Sequence, residues 1–408
     1  MPNSLLSSFR HALSNRDRKS ARRRLTIVPE SSADFSSNDF LSLSRSPVFR
    51  RKLLSILNNA PASQPFASGG SRLLDGNSGY AEALEAYIAG FHNAASGLLF
   101  NSGFDANVGV LSSIPQPGDV VVYDELIHAS MHEGMRLSRA GARVMFPHSS
   151  VGGLRDVLRR VREADPRVSA GARNVFVVVE SLYSMEGDVA PVSEFVRVVE
   201  ETLPAGNGYF VIDEAHATGV FGPNGAGVVQ DRGLEEKMFI RVHTFGKALA
   251  CHGAIVLCCP ETREYLVNYA RSLIYTTALG FPFLAAIRAV YELLAAGETD
   301  AARRSLHQRT LHFQSRLAEI GSLNPALLAV DHFPNSPIFS LRTSAPRQLA
   351  EVCQRRGFVV RKIMPPTVPA GKERVRVCLH AGNTADEIDG LAETIRLWVN
   401  DVGEKARL

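Results

Sequence analysis

The sequence predicts an α/β fold, built on a mainly parallel seven-stranded sheet and followed by a smaller α+β unit. Three observations carry that expectation. Seven short apolar runs lie between residues 96 and 258, separated by helix-like stretches. Runs such as VFVVVE (175–180) and YFVID (209–213) are apolar without alternation, the pattern of strands covered on both faces. Beyond about residue 285 the pattern changes to helical stretches with short strand-like pieces between them.

The strands are expected at 96–101, 119–123, 143–146, 175–180, 209–213, 238–244 and 254–258. Helix-like segments at 153–163 and 192–202 supply crossover connections between parallel strands. After residue 285 a long helix is expected over 283–317, strand pieces at 337–341, 357–361 and 374–378, and a last helix over 384–399. The 408 residues exceed what one core usually serves. We therefore expect an N-terminal segment (1–50), a large domain (51–285) and a small C-terminal domain (286–408), the last completed by N-terminal residues.

Composition narrows the function classes. At 45% hydrophobic and 21% charged, the chain has the make-up of a globular protein. Its 45 basic and 41 acidic residues nearly balance, which offers no case for nucleic-acid binding. The five cysteines (Cys251, Cys258, Cys259, Cys353 and Cys378) form no Cys-x-x-Cys pair and read as reduced thiols, so no metal site is expected. No apolar run is long enough to cross a bilayer, and no secretory signal is visible.

Both ends carry further signals. Leu5, Leu6, Phe9 and Leu13 sit at helical spacing in a basic stretch that holds one acid, Asp17. That stretch reads as an amphipathic helix packed on the body, or else as a mitochondrial presequence. The final Ala406-Arg407-Leu408 matches the small–basic–leucine form of a peroxisomal address. A peroxisomal location is expected, with cytoplasm or mitochondrion as alternatives.

In open α/β sheets ligands bind beyond the carboxyl ends of the strands, and the chemically capable residues fall there. Lys247 follows a strand in HTFGKALACHGA, beside Gly246, which lets the backbone approach a ligand closely. A lysine amine reacts with an aldehyde only when neutral, which a desolvated site favours. Asp213 ends YFVID; a carboxylate there suits the ring nitrogen of pyridoxal phosphate (PLP), and His216 is placed to contact its phenolic oxygen. Ser102, Gly103 and Phe104 open a helix after a strand, where backbone N–H groups cradle phosphate. His128, in DELIHASMHEG, is placed to lie against the ring, and Ser184, in ESLYSMEGDVAP, to bond its oxygen. Singly, each has an ordinary reading: a surface lysine, a turn aspartate, a capping serine, a core histidine.

Taken in order, SGFDAN, DELIHAS, ESLYSMEGD, IDEAHATGVFG, HTFGKALACHG and PPTVPAG resemble the α-oxoamine synthases, a group of fold-type I PLP enzymes. The resemblance runs from DFSSNDFLSLS at Asp34 to the final helix. It implies PLP as cofactor, held by Lys247 as a Schiff base, with Lys247 then acting as acid and base. It also implies Asp213 at the pyridine nitrogen, His128 stacked on the ring, and His216 and Ser184 at the phenolic oxygen. Ser102, Gly103, Phe104 and Thr244 would hold the phosphate region. Thr276 and Thr277 would reach the phosphate in the neighbouring subunit of a homodimer, and Asn38 would lie near the substrate carboxylate.

The implied reaction is a decarboxylating Claisen condensation of a small amino acid with an acyl-CoA. DFSSNDFLSLS, GGSRLLDGN and KIMPPTVPAGKERVRVCLHAGNT are most similar to the biotin-pathway branch, which joins alanine to pimeloyl-CoA. One departure stands out. Bacterial relatives often carry arginine just before PPTVP, where it grips the amino-acid carboxylate. Met364 stands there, so Arg361 is the expected substitute. Arg22, Arg23, Arg24 and Arg72 are candidates for the far carboxylate of the acyl chain. Other readings stay open: a related synthase using glycine or serine with another thioester, a fold-type I aminotransferase, or a PLP-binding support subunit.

Overall fold

The structure, a computed structural model, describes residues 4–19, 22–331, 333–365 and 367–405. Its main sheet comprises β1 (Ser96–Phe100), β2 (Val120–Asp124), β3 (Ala142–Phe146), β4 (Val175–Glu180), β5 (Gly208–Asp213), β6 (Met238–Thr244) and β7 (Ala254–Cys258). The spatial order is β1-β7-β6-β5-β4-β2-β3. β7 runs antiparallel to β1 and β6, and the remaining pairs are parallel. The seven-stranded, mostly parallel sheet is the one expected. Every residue of β4 and β7 is buried, which is why those runs show no alternation.

The strand order sets up the chemistry. Asp124, Glu180, Asp213 and Thr244 end the adjacent strands β2, β4, β5 and β6. Glu180 and Asp213 are direct register partners. Three carboxylates and a hydroxyl therefore crowd one edge of the sheet.

The helices used below are α1 (Ser4–Arg18), α2 (Gly103–Ser113), α3 (Phe281–Ala295), α4 (Asp300–Gly321), α5 (Pro346–Arg355) and α6 (Ala385–Lys405). The single helix expected over 283–317 is two. Gly297 takes φ +73, the left-handed conformation that ends a helix, and α4 starts afresh at Asp300. The amphipathic spacing does yield α1, but that helix buries no residue, and Leu5, Phe9 and Leu13 are all exposed. It is not packed on the body as expected.

The second sheet is β8 (Ala329–Asp331), β9 (Ile338–Arg342), β10 (Arg361–Ile363) and β11 (Arg374–Cys378), antiparallel in the order β10-β11-β9-β8. The strand piece expected at 357–361 splits. Phe358–Val359 pairs with Ala33–Asp34, and Arg361 opens β10. N-terminal residues complete this region: Phe35 and Phe40 are fully buried, and their carbonyls accept from Cys378 N and Ala381 N. One continuous apolar core joins Phe35, Val177, Ile212, Leu284, Phe339 and Leu391; the other face of the main sheet packs Val110, Met131, Val211 and Val242. Among the described residues no helix is long and apolar enough to cross a membrane. The Ala406-Arg407-Leu408 tail lies outside the described residues.

Candidate functional site

A cavity of about 220 Å³ opens at the carboxyl ends of β5 and β6. Its walls bring together the predicted Ser102, Gly103, Phe104, His128, Asp213, His216, Thr244 and Lys247. Asn107, Glu180 and His252 line it too.

Lys247 sits in a loop pinched by backbone bonds, Phe245 N to Gly253 O and Cys251 N to Phe245 O. Ala250 holds φ 51 inside it, a conformation that a side chain makes costly and that surrounding structure must enforce. Burial pushes the Lys247 amine down to about 8, against the pull of Asp213 and Glu180. A substantial neutral fraction is therefore present near physiological pH, as Schiff-base chemistry requires.

Asp213 is fixed from two sides. Oδ1 accepts from Ala215 N at 2.8 Å and Oδ2 from Asn107 Nδ2 at 2.8 Å. Asn107 Nδ2 also donates to Ser130 Oγ, whose hydroxyl reaches His128 Nδ1 at 2.7 Å. Ser130 N donates to the same imidazole nitrogen. With Nδ1 accepting, His128 is the neutral tautomer protonated at Nε2, and burial pushes its pKa down accordingly. A four-residue relay thus links the ring-facing histidine to the aspartate.

The amino end of α2 forms the cavity floor. Ser102 caps that helix, accepting from Asp105 N at 3.0 Å. A Cβ on Gly103 would collide with Thr244 Cγ2, so only glycine lets the cap and β6 close together.

These groups fit PLP on the structure's own terms. Asn107 Oδ1, His216 Nδ1 and Thr244 Oγ1 are buried without a hydrogen-bond partner, and all three residues line the cavity. Orphaned polar atoms around one cavity call for a polar guest. A carboxylate, an amine of lowered pKa, a flat imidazole and a helix amino end match that guest's ring nitrogen, aldehyde, ring face and phosphate.

Residues 31–395 match the family described as aminotransferase class I and II. The 8-amino-7-oxononanoate synthase of Emericella nidulans is 67% identical over 408 residues, covering 100% of this chain and 99% of that protein. The chain belongs to the α-oxoamine synthases of that family. The 8-amino-7-oxononanoate synthase of Francisella tularensis superposes with a TM-score of 0.72 at 25% identity, covering 91% of this chain and 99% of that one. Serine palmitoyltransferase from S. paucimobilis shares the fold at a TM-score of 0.83, with 24% identity over 98% of this chain and 99% of that one. This α-oxoamine synthase is a PLP-dependent acyltransferase.

Some predicted residues stand elsewhere in the synthase. Ser184 lies half-buried in the turn beyond β4 and is not part of the cavity wall. Thr276 and Thr277 are held by Asn101 Nδ2, at 3.0 Å to Thr276 Oγ1 and 2.8 Å to the Thr277 carbonyl, and also lie off this wall. Arg361 lines a separate groove and is not part of this wall, although it is the register partner of Arg376 across β10 and β11. The buried guanidinium near the site is Arg376 on β11, whose charge bears on both Lys247 and His216. Arg376 donates to Asn38 Oδ1 at 2.7 Å, while its Nε has no partner. Arg72 is committed to Glu85 and Asn77.

Sequence reasoning also missed a clamp beside the site. His148 bonds Asp124 at 2.9 Å and Asp188 at 3.1 Å, and Ser149 bonds the same two carboxylates. Asp188 belongs to the loop that carries Ser184, so the clamp pins that loop to β2. Burial opposes charge on His148, but the bonds to Asp124 and Asp188 win and push its pKa up to about 10. A folded pKa above the usual 6.5 contributes stability fully below that value, lost as pH rises through about 10. His148→Ala should cost on the order of 3 kcal/mol at pH 6, since it strands two inward carboxylates. Urea unfolding at pH 6 and at pH 10.5 checks this. The gap between variant and wild type should narrow at the higher pH, and an unchanged gap would refute the clamp.

Proposed function

We propose that this synthase condenses L-alanine with pimeloyl-CoA, yielding 8-amino-7-oxononanoate, CoA and carbon dioxide. The observation that carries the reading is the 67% identity, over the whole chain, to the Emericella nidulans protein of that name. Bound PLP supplies an electron sink for the pair left when the amino acid loses its α-proton. Lys247 Nζ takes that proton and later returns one to the product carbon. The α-carbon attacks the thioester carbonyl carbon, the C–S bond breaks, and CoA departs with the sulfur. Loss of the carboxyl group as carbon dioxide then leaves the amino ketone. Asp213, oriented by Asn107 and Ala215 N, would face the ring nitrogen. His128 would pack on the ring, His216 would bond the phenolic oxygen, and Ser102 to Phe104 with Thr244 would receive the phosphate.

Arg376 is our assignment for the amino-acid carboxylate, in place of Arg361. Its free Nε, its burial and its anchoring by Asn38 support that role. Arg376→Gln should raise KM for alanine on the order of 10-fold to 100-fold, the worth of one charged hydrogen-bond pair. The deciding experiment measures CoA thiol release from pimeloyl-CoA by the PLP-loaded protein, comparing alanine, glycine and serine. Alanine-dependent release with an amino ketone of the right mass supports the reading. Release with glycine or serine alone would replace the substrate, and no release with any would overturn the reaction.

We extend the reading to a homodimer. Phe66, Leu74 and Tyr275 are exposed, and backbone bonds tie segments 66–70 and 278–281 together. This patch adjoins Thr276 and Thr277, which suits their expected reach into a second subunit. A peroxisomal location is likewise proposed from Ala406-Arg407-Leu408. Deleting Leu408 should disperse a tagged protein from peroxisomes, and unchanged import would end that proposal.

A further inference from the structure

Two buried imidazoles lie behind the cavity wall. His243, on β6, and His92, just after the helix Gly79–Phe91, are both fully buried, with ring centroids 4.0 Å apart. His92 Nε2 bonds the Tyr291 hydroxyl of α3 at 3.0 Å, away from the cavity. The bond of His243 leads toward it: Nδ1 lies 2.9 Å from Thr218 Oγ1. Burial pushes the His243 pKa well below the usual 6.5, so that ring is neutral.

The direction of the Thr218 bond follows from its proton. Thr218 Oγ1 donates to the Glu214 carbonyl at 2.7 Å, because a carbonyl can only accept. His243 Nδ1–H is therefore the donor in the other bond, and His243 Nε2 is left as a buried lone pair without a partner. An imidazole with one unsatisfied nitrogen costs desolvation energy that leucine in the same apolar layer would not. Packing alone favours leucine here, and the bond to Thr218 is what the imidazole adds.

Thr218 closes the turn that carries His216. Glu214 O accepts from Ala217 N, Thr218 N and Thr218 Oγ1, which folds residues 214–218 around His216. The turn is tied at its start, where the Glu214 carboxylate accepts from Val228 N and Val229 N, and at its end by His243. His216 has no such tie of its own, for its Nδ1 is buried at the cavity wall without a partner. Directly after the turn, Gly219 takes φ +84, and a Cβ there would meet Ala248 and Leu249 at 3.0 Å. Turn and Lys247 loop are thus in close contact.

We propose that His243 is a positioning residue for the reaction: through Thr218 it sets where His216 meets the phenolic oxygen of PLP, and it keeps the turn seated on the Lys247 loop. The inference rests on the contact assigned to His216 in the reading above. His243 itself is not part of the cavity wall. Without its bond the turn keeps its internal hydrogen bonds and loses its end anchor, so the fold persists while His216 shifts. A misplacement of about 1 Å near a reacting centre can cost on the order of 100-fold in rate.

The test uses PLP-loaded enzyme, with CoA release from alanine and pimeloyl-CoA and the absorbance of lysine-bound PLP as separate readouts. His243→Leu and Thr218→Val each remove the bond, and His243→Asn keeps an amide N–H where Nδ1 stands. Thermal melting with and without PLP checks the fold, and the isosteric Thr218→Val carries the test where His243→Leu disturbs folding. Both variants should lower kcat about 10-fold to 100-fold and leave KM for alanine near wild type, because Arg376 stands on the other sheet. Both should displace the absorbance in the direction that His216→Ala displaces it. His243→Asn should restore most of kcat and the wild-type absorbance. The double variant should be no worse than either single one, since the same bond is lost in each. Wild-type kcat and absorbance in both single variants overturn the proposal, and so do additive losses in the double variant. His243→Asn as impaired as His243→Leu, beside an unimpaired Thr218→Val, also overturns it by making the bulk of the ring the cause. Failure of the underlying reading looks different: His216→Ala itself would leave the absorbance unmoved, removing the contact that His243 positions.

Discussion

Lys247→Ala is expected to lower turnover by a factor of about 10⁴ or more and to abolish the absorbance of lysine-bound PLP. Two losses combine. Lys247 is the only amine among the described residues lining the cavity, so nothing else there can link the aldehyde. It is also the sole base we assign to the α-proton, and removing a positioned general base alone costs on the order of 10²-fold to 10⁴-fold. The substitution should leave the fold standing, because the loop around it is held by backbone bonds at Phe245, Cys251 and Gly253. PLP should still enter, held through its phosphate and ring, but without a covalent link. Borohydride reduction followed by mass spectrometry distinguishes the cases: wild type gains the reduced cofactor at Lys247, and the variant does not. Retained turnover, or reduction onto another lysine, would move the chemistry away from Lys247.

The lowered amine pKa adds a pH dependence to this result. Proton abstraction needs the neutral amine, so activity limited by Lys247 should climb as pH approaches and passes about 8. The same group explains why the site was legible in the sequence. Lys247 and Asp213 stand directly after unbroken apolar runs, and an unbroken run fixes both the strand and the place where it ends. His128, Ser102 and Gly103 follow from the same logic at the ends of neighbouring strands. Glu180 obeyed it as well: it closes VFVVVE as Asp213 closes YFVID, and the carboxylate at the end of a buried run was the available signal.

Other groups were hidden for physical reasons. Asn107 and Ser130 sit inside helices, where a polar residue usually faces solvent; their inward roles appear only when α2 meets the helix Ala129–Leu137. Arg376 lies in RVRVC, where alternation with valine suggests an exposed arginine face. That face is instead turned inward by Asn38 from the far end of the chain. Arg361 precedes PPTVP and proves to be the register partner of Arg376, a pairing across β10 and β11 that sequence distance does not reveal. Ala329–Asp331 escaped notice because three half-buried residues carry no period, whereas the break at Gly297 was visible as a glycine inside a helical stretch.

Asp213→Asn should reduce turnover on the order of 10³-fold while leaving the chain folded. The size follows from removing a fixed charge placed where charge develops in the reaction. The geometry makes the loss specific. Both carboxylate oxygens accept from N–H donors, Ala215 N and Asn107 Nδ2. An asparagine amide can satisfy only one of them and must turn its own NH₂ toward the other. Two neighbours should report the missing charge. Burial holds the Glu180 carboxyl well above the usual carboxylate range, and the Asp213 charge pushes it further up, so the variant should let Glu180 ionise more easily. Lys247 loses an attraction that opposes its desolvation, so its pKa should fall further. Titrating the absorbance of lysine-bound PLP from pH 6 to pH 10 reads the Schiff-base nitrogen that Lys247 contributes, in the same electrostatic field, as a displaced transition. A variant with wild-type turnover and an unmoved transition would show that Asp213 serves only to hold Asn107 and Ala215 in place. A displaced transition with turnover lost would tie the charge, and not merely the shape, of Asp213 to the reaction.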